Sequence, residues 1–438
     1  MSILLPEGLP ARRQLASEGV ALLDRPVPAR DGQSRLRVAL VNLMPRKAIT
    51  ETQIARLLGS TPHRVELTLL VPASYRARTT DPDHLAAFYR PWPEVREQSF
   101  DGLIVTGAPV ETLPFEAVDY WRELTEIFDW ADRNVGASYF ICWAAQAALF
   151  HRHGVPKHAL ADKAFGVHTH EVRSPSAALL RGFGSCFPVP VSRHTEVRAE
   201  DLPAGGAVQV LADSPETGLC LLHEAERQAT YMFNHLEYDA DTLPAEYERD
   251  LEAGLPIRLP RHTFAEDDPS RPPHQRWRPF AHLLFRNWLD GLAELANRRA
   301  SASRDMAWLL RRPLGPAANE SGLIEPGVAE FRILALDELD SLPSVLQALA
   351  GQGLSPLAVQ VERRDGVQRI ALRLDGLSGG QEESTARTLL RLRAVRRVSY
   401  RDSGGHGGTF IHAAEPTQTA AESDRAGRSG PSPCSAAA

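Results

Sequence analysis

The sequence predicts a doubly wound α/β domain with a mostly parallel sheet, followed by a small α+β ferredoxin-like domain of βαββαβ order. Three observations carry that expectation. Short, almost wholly apolar runs alternate with amphipathic stretches through residues 36–151. A Pro- and Gly-rich stretch without period occupies 311–328. Beyond it, a strand, a helix, a hairpin, a second helix and a closing strand follow one another within about 70 residues. The length of 438 residues also calls for more than one domain.

Residues 1–34 are a Pro- and Arg-rich lead-in with a helix expected over 11–23. Residues 36–43 (LRVALVNL) form an apolar run of strand length, closed by Met44-Pro45. A helix is expected over 50–58 (TETQIARLL), with Thr50 at its N-cap. Residues 65–71 and 99–106 read as further strands, the latter ending in Gly107-Ala108-Pro109. Helical period over 120–133, a buried strand over 137–141 and a helix over 143–151 complete the rhythm. Strands that lack polar alternation are buried on both faces, which means a parallel sheet between helical layers. From 165 to 238 the pattern turns to short strands at 167–172, 208–213, 218–223 and 229–233. An amphipathic helix over 281–299 closes the first domain, expected to span 1–310, and 311–328 reads as a linker.

The C-terminal unit, 329–402, contains a strand over 331–335 and a helix over 341–350 with Pro343 in its first turn. A hairpin over 357–374 turns at Arg364-Asp365-Gly366, and a helix over 382–392 and a strand over 397–400 follow. This order resembles the small ACT-type regulatory domains that bind amino acids. The tail, 403–438, is rich in Ser, Gly, Ala and Pro and is expected to be disordered.

Charged residues make up 24% of the chain and the formal net charge is −6, which gives no electrostatic case for a nucleic-acid or membrane-surface partner. No apolar run approaches the roughly 18–20 residues that a membrane span needs. The four cysteines (Cys142, Cys186, Cys220, Cys434) are far apart, which argues against a disulfide framework or a structural zinc site and for a cytoplasmic protein. Lysine is confined to Lys47, Lys157 and Lys163.

Cys142 stands between the strand SYFI and the helix WAAQAAL. A nucleophile at such a turn projects from the carboxyl edge of the sheet, where the helix N-terminus favours a thiolate and the N–H of Trp143 supplies one oxyanion-hole donor. A thiolate needs a base, and the base needs an orienting group. In YMFNHLEYD, His235 follows an expected strand, and Glu237, two residues on, projects to the same side in extended backbone.

The segments VNLMPRKAITETQIARLLG, DGLIVTGAPVETLPFEAVDYW, FICWAAQAAL and NHLEYDADTL closely resemble the homoserine O-acyltransferases of methionine biosynthesis, which have a class I glutamine-amidotransferase-like fold. The likeness runs from about residue 1 to 300 and leaves the C-terminal unit outside. It implies that Cys142 is the acyl-accepting nucleophile, His235 the general base and Glu237 the carboxylate that orients it. It also makes Lys163 and Arg249 substrate-binding residues, and Ser192 part of the substrate pocket. Glu111 matches the position that discriminates acyl donors. A glutamate there fills the space and repels the free carboxylate of a succinyl group, so it favours acetyl-CoA.

The implied reaction is acetyl transfer from acetyl-CoA to the side-chain hydroxyl of L-homoserine through an acetyl-cysteine. It proceeds with ping-pong kinetics and without a metal or redox cofactor. L-Serine as acceptor, succinyl-CoA as donor and a glutamine amidotransferase-like hydrolase are the alternatives. Against the last, the elbow carries Phe140 and Ala144 where amidotransferases place glycines. The histidine context Phe233-Asn234-His235-Leu236 departs from the family's Gly-His-Pro, a change expected to alter the pocket wall. The expected partners are small-molecule substrates, a second copy in a homodimer and a regulatory amino acid at the C-terminal unit.

Overall fold

A computed structural model describes residues 2–24, 35–76, 79–311, 327–337, 341–364, 367–377, 380–392, 394–404 and 406–411, with the side chains of 299–311 excepted. Two compact units divide between Ser301 and Ala302.

The first unit begins with β1 (Ser2–Leu4), α1 (Ala11–Ser17) and β2 (Leu22–Leu23). The helix expected over 11–23 is therefore shorter: Gly19 takes a positive φ of 80° and releases the chain into β2. Next come β3 (Arg35–Val41), α2 (Lys47–Gly59), β4 (Arg64–Val71), α3 (Pro82–Phe88) and β5 (Tyr89–Pro91). Thr50 is not the N-cap of α2, which starts at Lys47 without a capping side chain. Nearly the whole helix is buried, and packing overrides the modest cap preference of threonine. β6 (Phe100–Val105), α4 (Trp121–Asn134), β7 (Val135–Ile141) and α5 (Trp143–His153) follow as the apolar rhythm predicts.

The long strands β8 (His158–Val172) and β9 (Cys186–Glu196) precede β10 (Gln209–Ser214), β11 (Gly218–Glu224) and β12 (Ala229–Met232). β9 is absent from the sequence reading because Pro188 and Pro190 interrupt it. It is an edge strand paired only with β8, where a missing N–H can face away from the ladder. α6 (Thr242–Glu252) and α7 (Arg278–Arg311) end the series.

The sheet runs β2-β1-β4-β3-β6-β7-β12-β11-β10-β8-β9, with β5 also on β4. Pairings from β2 to β12 are parallel, and those from β12 to β9 antiparallel. Successive residues of β3 serve two cores. Leu36, Val38 and Leu40 pack with Leu15, Ile54 and Trp288 of α1, α2 and α7. Ala39 and Val41 pack with Phe128 and Leu149 of α4 and α5. The sheet is thus covered on both faces, as a doubly wound fold requires.

The second unit comprises β13 (Val328–Leu336), α8 (Ser341–Ala350), β14 (Pro356–Arg364), β15 (Val367–Asp375), α9 (Gln381–Leu390), β16 (Val395–Arg401) and β17 (Gly407–Ile411). Its antiparallel sheet has the order β14-β15-β13-β16-β17, the ferredoxin-like arrangement with one strand added. The added β17 corrects the expectation for the start of the tail: Phe410 stacks near Tyr400, and the ladder with β16 covers an open edge. The linker expected at 311–328 falls mostly, and the rest of the tail wholly, outside the described residues. No helix among the described residues is long and apolar enough to cross a membrane.

Candidate active site

Cys142 joins β7 to α5 with φ 52° and ψ −117°, a conformation that L-residues avoid and that costs roughly 1–3 kcal/mol. The neighbouring elements hold it there. Its N–H donates to the Met232 carbonyl on β12 at 2.7 Å, and its carbonyl accepts from Ala145 N–H at 3.0 Å as α5 begins. A Cβ at Gly107 would stand 3.1 Å from Cys142 Cβ, so glycine after β6 leaves the elbow its space. Trp143 is the first residue of α5, and its N–H has no intrahelical partner, which leaves it available to a developing oxyanion.

His235 lies just beyond β12, the strand beside β7. Its N–H donates to the Pro190 carbonyl on β9 at 2.9 Å. Its Nδ1 bonds Glu237 Oε1 at 2.6 Å, and its ring stacks on Tyr238 with centroids 4.2 Å apart. Cys142, His235 and Glu237 are all buried. Burial alone pushes the imidazole toward neutrality. The Glu237 carboxylate and the Cys142 sulfur outweigh burial and hold His235 well above its ordinary range. Thiol, imidazole and carboxylate are thus one interacting group, the arrangement needed to make a nucleophile and shuttle its proton.

Lys163, Ser192 and Arg249, far apart in sequence, converge on two acids of α6. Lys163 Nζ lies 3.1 Å from Asp250 Oδ2 and 3.5 Å from Glu246 Oε2. Ser192 Oγ donates to Glu246 Oε2, and Tyr238 donates to Glu246 Oε1 at 2.7 Å. Arg249 reaches Asp250 Oδ1 at 2.6 Å and remains half exposed. Burial raises the Asp250 carboxyl, but Arg249 and Lys163 together bring it below its usual range. Sequence reasoning missed Tyr238, Glu246 and Asp250. The signal was the four-residue spacing of the two acids on one helix face beside Arg249.

Glu111, after β6, is within electrostatic reach of this group. Burial pushes its carboxyl up, while His194, Lys163 and His235 pull it down. Lys157 Nζ donates to the Glu111 and Leu113 carbonyls and pins the loop. Lys47 is buried at the start of α2, donates to the Asn42 and Met44 carbonyls and sits over the Tyr75 ring. Burial brings its ammonium down to about 7.

The altered neighbours of His235 are both buried. Asn234 is wholly buried, its Nδ2 3.0 Å from His170 Nε2 and its Oδ1 accepting from Arg193 Nε at 3.4 Å. Leu236 belongs to the core shared with α7. Among the described residues no cluster of three or more His, Cys, Asp or Glu side chains is placed to hold a metal ion.

A family profile described as homoserine O-succinyltransferase matches residues 2–294. A homoserine O-acetyltransferase of Chelativorans sp. strain BNC1 is 50% identical over 290 residues, 66% of this chain and 93% of its own length. One from Synechococcus elongatus is 54% identical over 290 residues, 66% of this chain and 97% of its own. Among solved structures, a glutamine amidotransferase of Thermotoga maritima aligns over 60% of this chain and 100% of its own, with 14% identity and a TM-score of 0.41.

Proposed function

This chain belongs to the homoserine O-succinyltransferase family, and on that premise we propose which acyl group it moves and how. The chain is a homoserine O-acyltransferase, an enzyme of methionine biosynthesis. The family description names a succinyl donor and the relatives an acetyl donor, so the donor is a question for the site.

Glu111 supports acetyl-CoA. Its carboxyl is pushed up by burial and pulled down by the charges of His194, Lys163 and His235, so it does not stand in bulk water. There it occupies space and carries charge that a succinyl carboxylate would have to displace. A carboxyl raised by burial repels less strongly, but it still fills the volume. L-Homoserine is the acceptor. The polar group formed by Lys163, Ser192, Glu246, Asp250 and Arg249 offers both signs of charge to an amino acid's ammonium and carboxylate.

The observation that carries the mechanism is the strained Cys142 elbow beside the His235–Glu237 pair. In the reaction we propose, the Cys142 sulfur attacks the thioester carbon while the Trp143 N–H receives the oxyanion. The imidazolium of His235 then gives its proton to the departing coenzyme A thiolate. Neutral His235 next takes the proton of the homoserine hydroxyl, whose oxygen attacks the acetyl-cysteine. Cys142 leaves as a thiolate, and the starting charges are restored. Glu237 keeps Nδ1–H in place through both steps. This chemistry asks for no metal or redox cofactor. The free thiols Cys142, Cys186 and Cys220 fit a reducing cytoplasm.

The test is one assay: acetyl-CoA and succinyl-CoA, each with L-homoserine and with L-serine, alongside mass analysis of the Cys142 peptide after acetyl-CoA alone. Acetyl transfer to homoserine and an acetyl group on Cys142 are expected. Preference for succinyl-CoA would overturn the Glu111 reading, and turnover by Cys142→Ala the mechanism. For the second unit we propose amino-acid-dependent regulation or pairing between copies, on its ferredoxin-like strand order. Truncation after residue 310 should then change amino-acid sensitivity or oligomeric state.

A further inference from the structure

After β6 the chain makes a surface turn over residues 109–114. Pro109, Thr112, Leu113 and Pro114 are exposed, whereas Glu111 is half-buried. The turn's own bonds are short-range: Val110 N–H donates to the Ala108 carbonyl at 2.9 Å and Leu113 N–H to the Val110 carbonyl at 3.0 Å. Lys157 supplies bonds from outside. Its Nζ donates to the Glu111 and Leu113 carbonyls, both at 2.5 Å, and lies 4.4 Å from the centre of the Phe115 ring. An ammonium has three donors, and two carbonyls and a ring face occupy them.

Both ends of this clamp are fixed. Lys157 follows the end of α5 closely: Gly154 stops that helix with φ 69°, and Val155 is buried in the core shared with α4 and α5. Phe115 is buried too, stacked on Phe150 at 4.8 Å and on Trp121 at 5.5 Å, with Trp143 of the elbow 6.0 Å away. The Glu111 carboxyl is drawn toward its ionised form by a hydrogen bond from the His194 backbone on β9 and by the charges of His194, Lys163 and His235. A side chain that excludes a ligand by bulk and charge does so only if its backbone cannot give way. An exposed turn with short-range bonds yields easily, whereas two charge-assisted bonds to the carbonyls on either side of Thr112 resist.

We propose that Lys157 is a positioning residue for donor choice: it holds the 109–114 turn against the Phe115 cluster, so that the Glu111 side chain stands fixed where a succinyl carboxylate would have to go. The proposal deepens the reading of Glu111 as the donor-selecting residue and rests on it. Lys157 acts through Glu111 and not on the substrate. Its charge and its clamp pull in opposite directions. Removing a cation beside Glu111 would by itself make the site less favourable to a second carboxylate and raise the preference for acetyl-CoA. Removing the clamp lets Glu111 swing aside and lowers that preference. The sign of the change therefore separates the two.

The test measures kcat/KM for acetyl-CoA and for succinyl-CoA, each with L-homoserine, in wild type, Glu111→Gly, Lys157→Met and the double variant. Lys157→Met should keep kcat with acetyl-CoA within about threefold of wild type and lower the acetyl-to-succinyl ratio of kcat/KM at least about fivefold. In the Glu111→Gly background the same change should leave that ratio within about twofold, because no side chain is left to position. An unchanged or raised ratio in Lys157→Met, beside a Glu111→Gly that does shift toward succinyl-CoA, overturns the role of Lys157 alone; equal losses with both donors count here, since they mark a merely structural residue. A Glu111→Gly that leaves the ratio where it was overturns the donor reading and this proposal with it. If Lys157→Met fails to fold, Lys157→Gln decides by the same ratio: its shorter, uncharged amide should lower it, and an unchanged or raised value overturns the proposal.

Discussion

The interior of the large unit holds Lys47, Glu51, His170, Arg193, His235 and Glu237, whereas the buried polar residues of the small unit among those described are Ser341, Gln368 and Thr385, none of which ionises near neutrality. Among the described residues, the non-glycine ones with positive φ, Cys142 included, also lie in the large unit. The small unit closes its core with Phe331, Ile333, Leu372, Val398 and similar side chains on regular antiparallel strands. Local rules build both, but only one breaks them. One breach, the Cys142 elbow at the end of β7, stands beside the buried His235–Glu237 pair beyond β12, which is where a chemical site would have to be held against its own strain and desolvation.

The largest effect that tests this contrast is at the elbow. Cys142→Ala should lower acyl transfer by at least about a thousandfold with the fold intact. Cys142→Gly should be equally inactive yet about 1 kcal/mol more stable than Cys142→Ala in urea unfolding, since glycine adopts φ 52° without strain. The opposite order of stability would mean that the elbow stores none. Next is Glu237→Gln, expected to lower kcat/KM by roughly 10²–10⁴-fold. The folded imidazole keeps its proton above the pH at which the unfolded one loses it. The stability that His235 draws from this pairing is therefore complete below about pH 6.5 and is lost as pH rises through the folded value. Glu237→Gln should flatten the stability curve above pH 6.5, measured by urea midpoints from pH 6 to 9.

The same contrast explains what was legible in the sequence. Strand–helix alternation wrote out β3 to α5, apart from the short α3 and β5, because the long strands are buried on both faces, and the β13-to-β16 order of the small unit followed from period and turn residues. β9 was hidden by Pro188 and Pro190, and β1 and β2 by their brevity. Cys142 and the His235–Glu237 pair were visible because an elbow and a two-residue offset are local patterns. Glu246, Asp250 and Arg193 were not, since their meaning comes from partners 41 to 87 residues away in the chain. Asn234 was noticed as an oddity, but nothing local reveals that its side chain bonds Arg193.

A third prediction moves the test into the small unit. Phe331→Ala should destabilise it by about 3–5 kcal/mol, as emptying a packed aromatic site does, and leave kcat/KM for acetyl transfer unchanged. Stability is read from thermal unfolding of the full chain, and an equal loss of activity would deny that the two units divide scaffold from chemistry.

The last effect concerns Lys47, a buried charge without a carboxylate bonded to it in the hydrogen bonds it makes. Burial lowers its ammonium to about 7, so between pH 7 and the unfolded value the unfolded chain carries one more proton than the folded one. Stability therefore rises with pH across that window, and the cost of burying the charge is full only below it. Lys47→Met removes the titration and keeps the apolar stem. Between pH 7 and 9 wild type should gain about 2 kcal/mol relative to the variant, given about 1.4 kcal/mol per pH unit for one proton. Parallel urea-midpoint curves for the two proteins would mean that the ammonium is solvated, and that the large unit tolerates one buried charge fewer than its packing implies.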